Sequence, residues 1–249
     1  MIKIRSLQKQ FKGLQVLKGL NVDIIEGETL VVLGPSGVGK SVLLKHIIGI
    51  TQPDAGYVEI DGVKVTNLAG PSLFRAIKQM GMLFQGAALF DSLNVADNTG
   101  FYLTQHADPK TGKKVSKTEI KERVDEALEM VGLEGTQKKM PSELSGGMRK
   151  RAGLARLIVY RPRILLYDEP TTGLDPITSG QINELIVQIQ KELKATSVVV
   201  THDLPSALHV GDRLALLREG KIACIGDPKS IMEVDDPLID FLRRIHKPE

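Results

Sequence analysis

The sequence predicts an α/β protein with a mostly parallel core sheet, an antiparallel β subdomain and an inserted helical subdomain. Two short apolar runs, Leu30–Leu33 and Ile164–Tyr167, are typical of strands in a parallel sheet that is covered on both faces. A third run, the β-branched Val198–Val200, follows a helical segment. Between the first two runs, residues 86–160 carry a helical pattern. The pattern therefore predicts an α/β core interrupted by a block of helices.

The antiparallel subdomain is predicted from the first part of the chain. Apolar residues alternate between Ile2 and Ile24 around a turn at Gly13, which predicts a hairpin. The dipeptide Asp61-Gly62 favours a tight turn and predicts a second hairpin. We expect a single domain, with the core and antiparallel subdomain in 1–85 and 161–226, the helical subdomain in 86–160 and a C-terminal helical tail in 227–249.

Three segments carry the pattern of amphipathic or capped helices. In the segment 119–133, Ile120, Val124, Leu128 and Val131 recur at helical spacing and predict one buried face. A helix is also expected at 149–160, directly after two glycines, and another near 178–193.

Composition excludes several classes of function. Basic residues number 33 and acidic residues 30, and the resulting net charge of +3 is too small to indicate a nucleic-acid partner. Only 4% of residues are aromatic, so base-stacking surfaces are not expected. Cys224 is the single cysteine, which excludes a disulfide framework. No apolar stretch approaches the roughly 20 residues that cross a bilayer, and the start lacks a signal-peptide pattern, so we expect a cytoplasmic chain.

The most specific motif is GPSGVGKS, which follows an apolar strand and precedes a helix. Glycines let backbone N–H groups converge on phosphate oxygens, Lys40 supplies a cation, and the Ser41 hydroxyl can bind Mg²⁺. The motif therefore predicts binding of ATP or GTP. The residues expected to contact the nucleotide here are Gly34, Pro35, Ser36, Gly37, Val38, Gly39, Lys40, Ser41 and Val42.

A second constellation is the pair of carboxylates that ends the strand Ile164–Tyr167. Asp168 is expected to support Mg²⁺, and Glu169 is expected to act as the general base or to position the attacking water. Acidic residues are common at strand ends, but in a chain that also contains a phosphate-binding loop the pair indicates nucleotide hydrolysis.

The third motif is Leu144-Ser145-Gly146-Gly147-Met148, directly before a predicted helix. Ser145 can cap the helix, and the two glycines leave backbone N–H groups accessible to an anion. In isolation the segment would indicate only ordinary helix capping.

Together the three motifs resemble the nucleotide-binding subunits of ATP-binding cassette (ABC) ATPases, and the resemblance covers nearly the whole chain. It implies the ABC-ATPase variant of the P-loop NTPase fold. By this resemblance, Phe11 stacks on adenine with Val16 beside it, Gln85 senses Mg²⁺ and the attacking water, and His202 reaches the γ-phosphate. Asp175 contacts the opposite subunit. For Phe11, packing within the hairpin remains the alternative.

The resemblance also implies an assembly. Family members place the LSGG segment far from their own phosphate loop, so a complete site needs two chains arranged head to tail. The expected unit is a dimer, most simply a homodimer, that closes around two ATP molecules, with Lys40 and Ser41 of one subunit facing Ser145 and Gly147 of the other. Hydrolysis would open the dimer and drive the attached machinery.

A finer resemblance concerns the ATPases of mammalian-cell-entry (MCE) type phospholipid transporters. It is carried by Gly81–Val95, by Met148–Arg151 after the glycines, and by Asp235–Leu238 leading to Phe241-Leu242. It implies integral-membrane permease subunits, an MCE-type lipid-binding partner and a position on the inner face of the cell membrane. The apolar stretch after Gln85 is expected either to receive a helix of the permease or to pack within the helical block.

Two other classes remain as alternatives. A soluble ABC ATPase that serves an assembly such as iron–sulfur cluster biogenesis fits the size of the chain. A P-loop kinase or GTPase would leave the LSGGM segment and His202 unexplained.

Overall fold

The structure, a computed structural model, describes residues 2–235 and 239–240. The described residues form two compact units, one within the ranges 1–77 and 196–249 and the other within 78–195. The division into subdomains given above remains a prediction. The predicted tail residues Asp236, Pro237, Leu238, Phe241 and Leu242 lie outside the described part.

The first unit contains the predicted antiparallel sheet. Its strands are β1 (Ile2–Phe11), β2 (Leu14–Ile24), β4 (Ala55–Ile60) and β5 (Val63–Lys64), in the order β2-β1-β4-β5. The hairpin turn at Asp61-Gly62 has φ values of 48° and 82°. Both values are left-handed, as a type I′ turn requires, which explains why this dipeptide was a reliable signal.

The same unit contains a second set of strands, which includes the strand leading into the phosphate-binding loop and is parallel except for an antiparallel edge strand. The order is β10 (Lys221–Gly226), β9 (Arg213–Arg218), β3 (Thr29–Leu33) and β8 (Thr196–Thr201). β3 is parallel to both β8 and β9, and every residue of β3 and β8 is buried. The continuous apolar runs in the sequence reflect this burial on both faces. The α-helices among the described residues of the first unit are α1 (Lys40–Ile47), α2 (Gly70–Ile77), α7 (Leu204–Val210) and α8 (Pro228–Met232).

The second unit pairs the parallel strands β6 (Met80–Leu83) and β7 (Ile164–Asp168) and contains four α-helices among its described residues. These helices are α3 (Val95–Gln105), α4 (Lys117–Met130), α5 (Gly146–Ile158) and α6 (Pro176–Leu193). In α4 the predicted apolar face is buried at Val124 and Leu128. None of the helices within the described ranges has the length and hydropathy of a membrane span.

The helix starts differ from the predicted ones. α4 begins two residues earlier than expected and α5 begins three residues earlier, at Gly146 instead of Arg149. In both helices a serine before the first turn accepts a hydrogen bond from a backbone N–H three residues later, at 3.2 Å in each case (Ser116 and Ser145). The side-chain caps therefore fix the first turn, which the apolar pattern alone placed too late.

Candidate functional site

The phosphate-binding loop joins the end of β3 to the start of α1. Gly37 and Gly39 have φ values of 80° and 112°, a region that side chains disfavour. Lys40 is buried, and its Nζ donates to the carbonyl oxygens of Gly34 and Pro35 at 2.8 and 3.0 Å. The loop carbonyls therefore hold the lysine ammonium against the loop, in a position suited to binding the phosphate oxygens of a nucleotide.

Two of these glycines are also required by close packing. A Cβ atom on Gly34 would lie 2.6 Å from the carbonyl oxygen of Leu217, and one on Gly39 would lie 2.8 Å from Cγ1 of Val16. The second contact brings Val16, a predicted adenine contact, directly to the loop. The absence of a side chain at these two positions therefore lets the loop pack closely against β9 and β2.

Phe11 lies at the end of β1 and is 45% exposed. The Nζ of Lys9 lies 5.4 Å from the centre of its ring. An aromatic ring that packed the hairpin would be buried, so the exposure favours the stacking role over the packing alternative. Stacking on adenine remains a prediction.

His202 is exposed and follows the last residue of β8. Leu33 at the end of β3 pairs with Thr201, and the N–H of Gly34 donates to the carbonyl of Thr201 at 3.3 Å. The structure therefore brings His202 to the start of the phosphate loop, because the carboxyl ends of two neighbouring parallel strands share one edge.

The two predicted carboxylates and Gln85 belong to the second unit. Leu83 pairs with Tyr167 at the ends of β6 and β7, so the segments that carry Gln85 and Glu169 leave the two strands side by side. Asp168 and Glu169 are buried, whereas Gln85 is exposed. Glu169 has a φ of 48°, an unusual left-handed backbone for a residue of this type, which sequence patterns did not reveal.

Gln85 and Glu169 are connected by a residue of α5 that sequence reasoning missed. Lys150 in α5 is buried, and its Nζ donates to the carbonyl oxygens of Gln85 at 2.6 Å and Glu169 at 3.2 Å. Burial lowers the pKa of Lys150, opposed by the nearby carboxylates of Asp168 and Glu169. A signal was present, because Lys150 shares its helical face with the apolar Leu154 at a spacing of four residues.

The LSGG segment and Asp175 meet in one cavity of the second unit. Ser145, Gly146, Gly147 and Asp175 all line a surface cavity of about 630 Å³. Ser145 caps α5 as predicted. Asp175 caps α6 and accepts hydrogen bonds from the hydroxyl and N–H of Thr178, which lower its pKa. The cavity thus combines bare backbone at a helix start with a fixed carboxylate.

A second cavity, of about 250 Å³, lies beside the segment that follows Gln85. We call it the aromatic groove; its lining includes Phe84, Ala87, Ala88, Phe101 and Arg156. The guanidinium of Arg156 lies 4.5 Å from the centre of the Phe90 ring and donates to the carbonyl of Ala88 at 2.6 Å. Ala87 and Ala88 both have positive φ values, 62° and 48°, so this segment follows an irregular backbone.

The predicted donors for Mg²⁺ are Ser41 in the first unit and Gln85 and Asp168 in the second. No group of three or more His, Cys, Asp or Glu side chains that could hold a metal occurs in the part of the chain that is described. Mg²⁺ bound with a nucleotide takes most of its ligands from phosphate and water, and carboxylate, hydroxyl and amide oxygens are all ligand types that it accepts. The metal remains a prediction.

The chain is similar to several known proteins. Residues 17–172 match the protein-family model described as "ABC transporter". The chain is 41% identical to the "Probable ribonucleotide transport ATP-binding protein mkl" of Mycobacterium leprae over 96% of its length. It spans 65% to 67% of the length of the mycobacterial relatives with this name. It is 35% identical to the "Intermembrane phospholipid transport system ATP-binding protein MlaF" of Haemophilus influenzae, over 98% of this chain and 90% of that protein.

A solved structure has the same fold. The dimeric, post-hydrolysis structure of the ATP-binding cassette MJ0796 bound to ADP and Pi superimposes with a TM-score of 0.83. Its sequence is 33% identical, and the match covers 92% of this chain and 99% of the other. The P-loop fold and the ABC-ATPase architecture predicted from the sequence are confirmed. The chain therefore belongs to the ABC transporter family, as an ATP-binding and ATP-hydrolysing cassette.

Proposed function

We propose that this chain powers the movement of phospholipid by an MCE-type transporter. The observation that carries the proposal is its similarity to MlaF, which extends over nearly the full length of both chains. The segment Gly81–Val95, which resembles MCE-type ATPases, contributes Met82, Phe84, Ala87 and Ala88 to the lining of the aromatic groove. Because some relatives are named for ribonucleotide transport, ribonucleotide is a competing cargo. The reconstitution experiment distinguishes phospholipid from ribonucleotide.

Within this function the predicted site residues serve phosphate binding, adenine binding, metal binding and hydrolysis. The loop Gly34–Val42 binds the phosphates of ATP, and Phe11 and Val16 contact the adenine. Ser41, Asp168 and Gln85 hold Mg²⁺, which neutralises phosphate charge when it is bound. Glu169 accepts a proton from the attacking water, and His202 donates to the terminal phosphate.

The working unit is a dimer of this chain. Ser145, Gly146, Gly147 and Asp175 share a single open cavity, and exposed N–H groups at a helix start are suited to an anion. The dimeric state of the related cassette MJ0796 supports this arrangement. The ATP bound by the partner subunit occupies this cavity in the closed dimer, and hydrolysis of that ATP opens the dimer.

The aromatic groove binds a helix of an integral-membrane subunit, which holds the chain at the inner face of the membrane. Its lining combines apolar rings with one cation, and Ala88 at its edge is exposed. Gln85 lies three residues before Ala88, so a movement of Gln85 in response to the γ-phosphate would be transmitted through this segment to a helix in the groove.

The experiment is co-purification followed by reconstitution. The tagged chain is expected to co-purify with a membrane-embedded subunit and an MCE-type protein. The complex in vesicles should transfer fluorescent phospholipid in an ATP-dependent manner and leave labelled ribonucleotides untouched. Co-purification with soluble proteins alone would contradict transport, and ribonucleotide uptake without lipid transfer would contradict the cargo.

The role of the groove is tested with Ala88→Arg, which adds bulk and a second cation beside Arg156. Loss of the membrane subunit with unchanged ATPase activity of the isolated chain is expected. Val63→Arg is the matched control, because Val63 is an exposed apolar residue on β5 of the antiparallel sheet. Equal co-purification of both variants would argue against the groove as the docking site.

A further inference from the structure

A single buried ammonium holds the two segments that carry the proposed water-positioning residues. Lys150 is 6% exposed, and its Nζ bonds the backbone of Gln85 and of Glu169. These residues are far apart in sequence but leave the neighbouring strands β6 and β7 together. The ammonium therefore ties one strand end to the other at the point where hydrolysis is proposed to occur.

Packing alone does not explain a cation at this position. Lys150 lies on the buried face of α5 with Leu154, Leu157 and Ile158, where an apolar side chain would fill the space without a desolvation cost. Hydrogen bonds from a charged donor are roughly twice as strong as neutral ones and hold their acceptors more firmly. A lysine at this position is therefore better explained by its hydrogen bonds to the two backbone carbonyls than by filling of space alone.

The backbone of Glu169 needs such support. Its left-handed φ of 48° is sparsely populated for a glutamate and persists only where surrounding contacts hold it. The N–H of Thr172 provides one contact to the Glu169 carbonyl, at 3.3 Å, and Lys150 provides another. Without the ammonium, the backbone from which the carboxylate projects would be held more loosely.

We propose that Lys150 is a positioning residue for ATP hydrolysis, which sets Gln85 and Glu169 relative to each other through their backbones. The inference rests on the roles proposed for those two residues. Because Lys150 lies five residues after Ser145 on α5, the same contacts connect the LSGG segment to the catalytic pair of its own chain.

The first test is Lys150→Met, which keeps an unbranched apolar side chain of similar bulk and removes the ammonium and its donors. A small displacement of catalytic groups can cost about 100-fold in rate, so we expect kcat per nucleotide-binding site to fall about 10- to 100-fold. KM for ATP should stay within about twofold, because the phosphate loop is unchanged. A wild-type kcat, or a change confined to KM, would overturn the proposal.

A double-mutant cycle separates positioning from folding. Introduced into a Gln85→Ala background, Lys150→Met should cost much less in kcat than it does alone, since one of the groups that it positions is gone. If the two losses simply multiply, Lys150 does not act through Gln85 and the proposal fails. Glu169→Gln provides the reference: if it hydrolyses ATP normally, the assignment of the site itself is wrong, whatever Lys150 does.

A matched control and a milder variant complete the design. Arg123→Met removes another partly buried cation of the second unit, one that bonds Asp108 and Glu119. It should reduce stability and leave kcat per binding site unchanged. Lys150→Gln keeps N–H donors but is uncharged and one atom shorter, so it tests the ammonium itself if the Met variant does not fold. A several-fold loss of kcat supports the proposal, and a wild-type kcat would show that the charged donor is not needed and overturns it.

Discussion

The hydroxyl of Thr172 donates to the carboxylate of Glu169, with 3.1 Å between Oγ1 and Oε2. The backbone of Thr172 also donates to the Glu169 carbonyl. One residue therefore orients both the side chain and the main chain of the proposed general base. Sequence patterns gave no reason to single out Thr172, because threonine is common in turns that follow strands.

Thr172→Val should slow hydrolysis without weakening nucleotide binding. The substitution keeps the branched shape and removes the hydroxyl, so the carboxylate loses one oriented hydrogen bond. A loss of about 1.4 kcal/mol in the transition state corresponds to a tenfold lower kcat. Steady-state ATPase assays would measure it. Thr172→Ser retains the hydroxyl and is expected to remain close to wild type; an equal loss in both variants would point to packing instead.

Glu169→Gln should bind ATP and almost abolish turnover. General-base catalysis contributes typically 10²- to 10⁴-fold, and an amide cannot accept the proton. Since ATP would persist, the dimer should accumulate in its closed form, which size-exclusion chromatography with ATP would detect. Glu126→Gln changes an exposed glutamate paired with Arg161 and serves as the control. Wild-type rates in Glu169→Gln would contradict its role as base.

The parts of the fold that were predictable are those encoded over short stretches of sequence. The turn at Asp61-Gly62 and the loop at Gly37 and Gly39 use glycine where the backbone is left-handed, so their local chemistry specifies them. The buried strands β3 and β8 are likewise specified by continuous apolar runs. In these cases the residues from which the element is predicted are the same residues that adopt the predicted turn or strand.

The parts that were missed depend on contacts between distant segments. Lys150 and Gln85 are 65 residues apart, and no periodic pattern records their hydrogen bond. The contact of Val16 with the loop at Gly39 is set by how the hairpin packs, and the resemblance alone had suggested Val16. The left-handed backbone of Glu169 depends on its neighbours, and nothing in the residue type indicates it.

Ser145→Arg should block hydrolysis while the isolated chain still binds nucleotide. A large cation in the cavity of Ser145 and Asp175 would obstruct the partner's ATP and leave the phosphate loop intact. Binding of a fluorescent nucleotide and ATPase activity would be measured together. Ser116→Arg is the matched control, because Ser116 caps α4 with the same 3.2 Å hydrogen bond and lies outside that cavity. Normal turnover in Ser145→Arg would argue against a site shared between subunits.

Asp108 should make the stability of the protein depend on acid pH. Burial alone would raise the pKa of this carboxyl group, but hydrogen bonds outweigh burial and lower the pKa. The donors are the backbone N–H groups of Thr111 and Lys110 and the guanidinium of Arg123, at 2.9, 2.9 and 2.6 Å. A lowered folded-state pKa means that the stabilising contribution is complete above the unfolded pKa of about 3.9 and is lost as pH falls through the folded value.

Asp108→Asn should therefore lower the free energy of unfolding by about 1–3 kcal/mol at pH 7, because charged hydrogen bonds to the carboxylate are lost. The difference from wild type should narrow as pH falls below about 4, because Asp108 is protonated first in the unfolded chain and, in the folded protein, only as pH falls through the lowered folded-state pKa. Urea unfolding at pH 7, 5 and 3.5 measures both effects, with Asp91→Asn, at an exposed position in the same unit, as the control. A deficit that stayed constant over this range would mean that packing of the loop, and not the charge of Asp108, provides the stability.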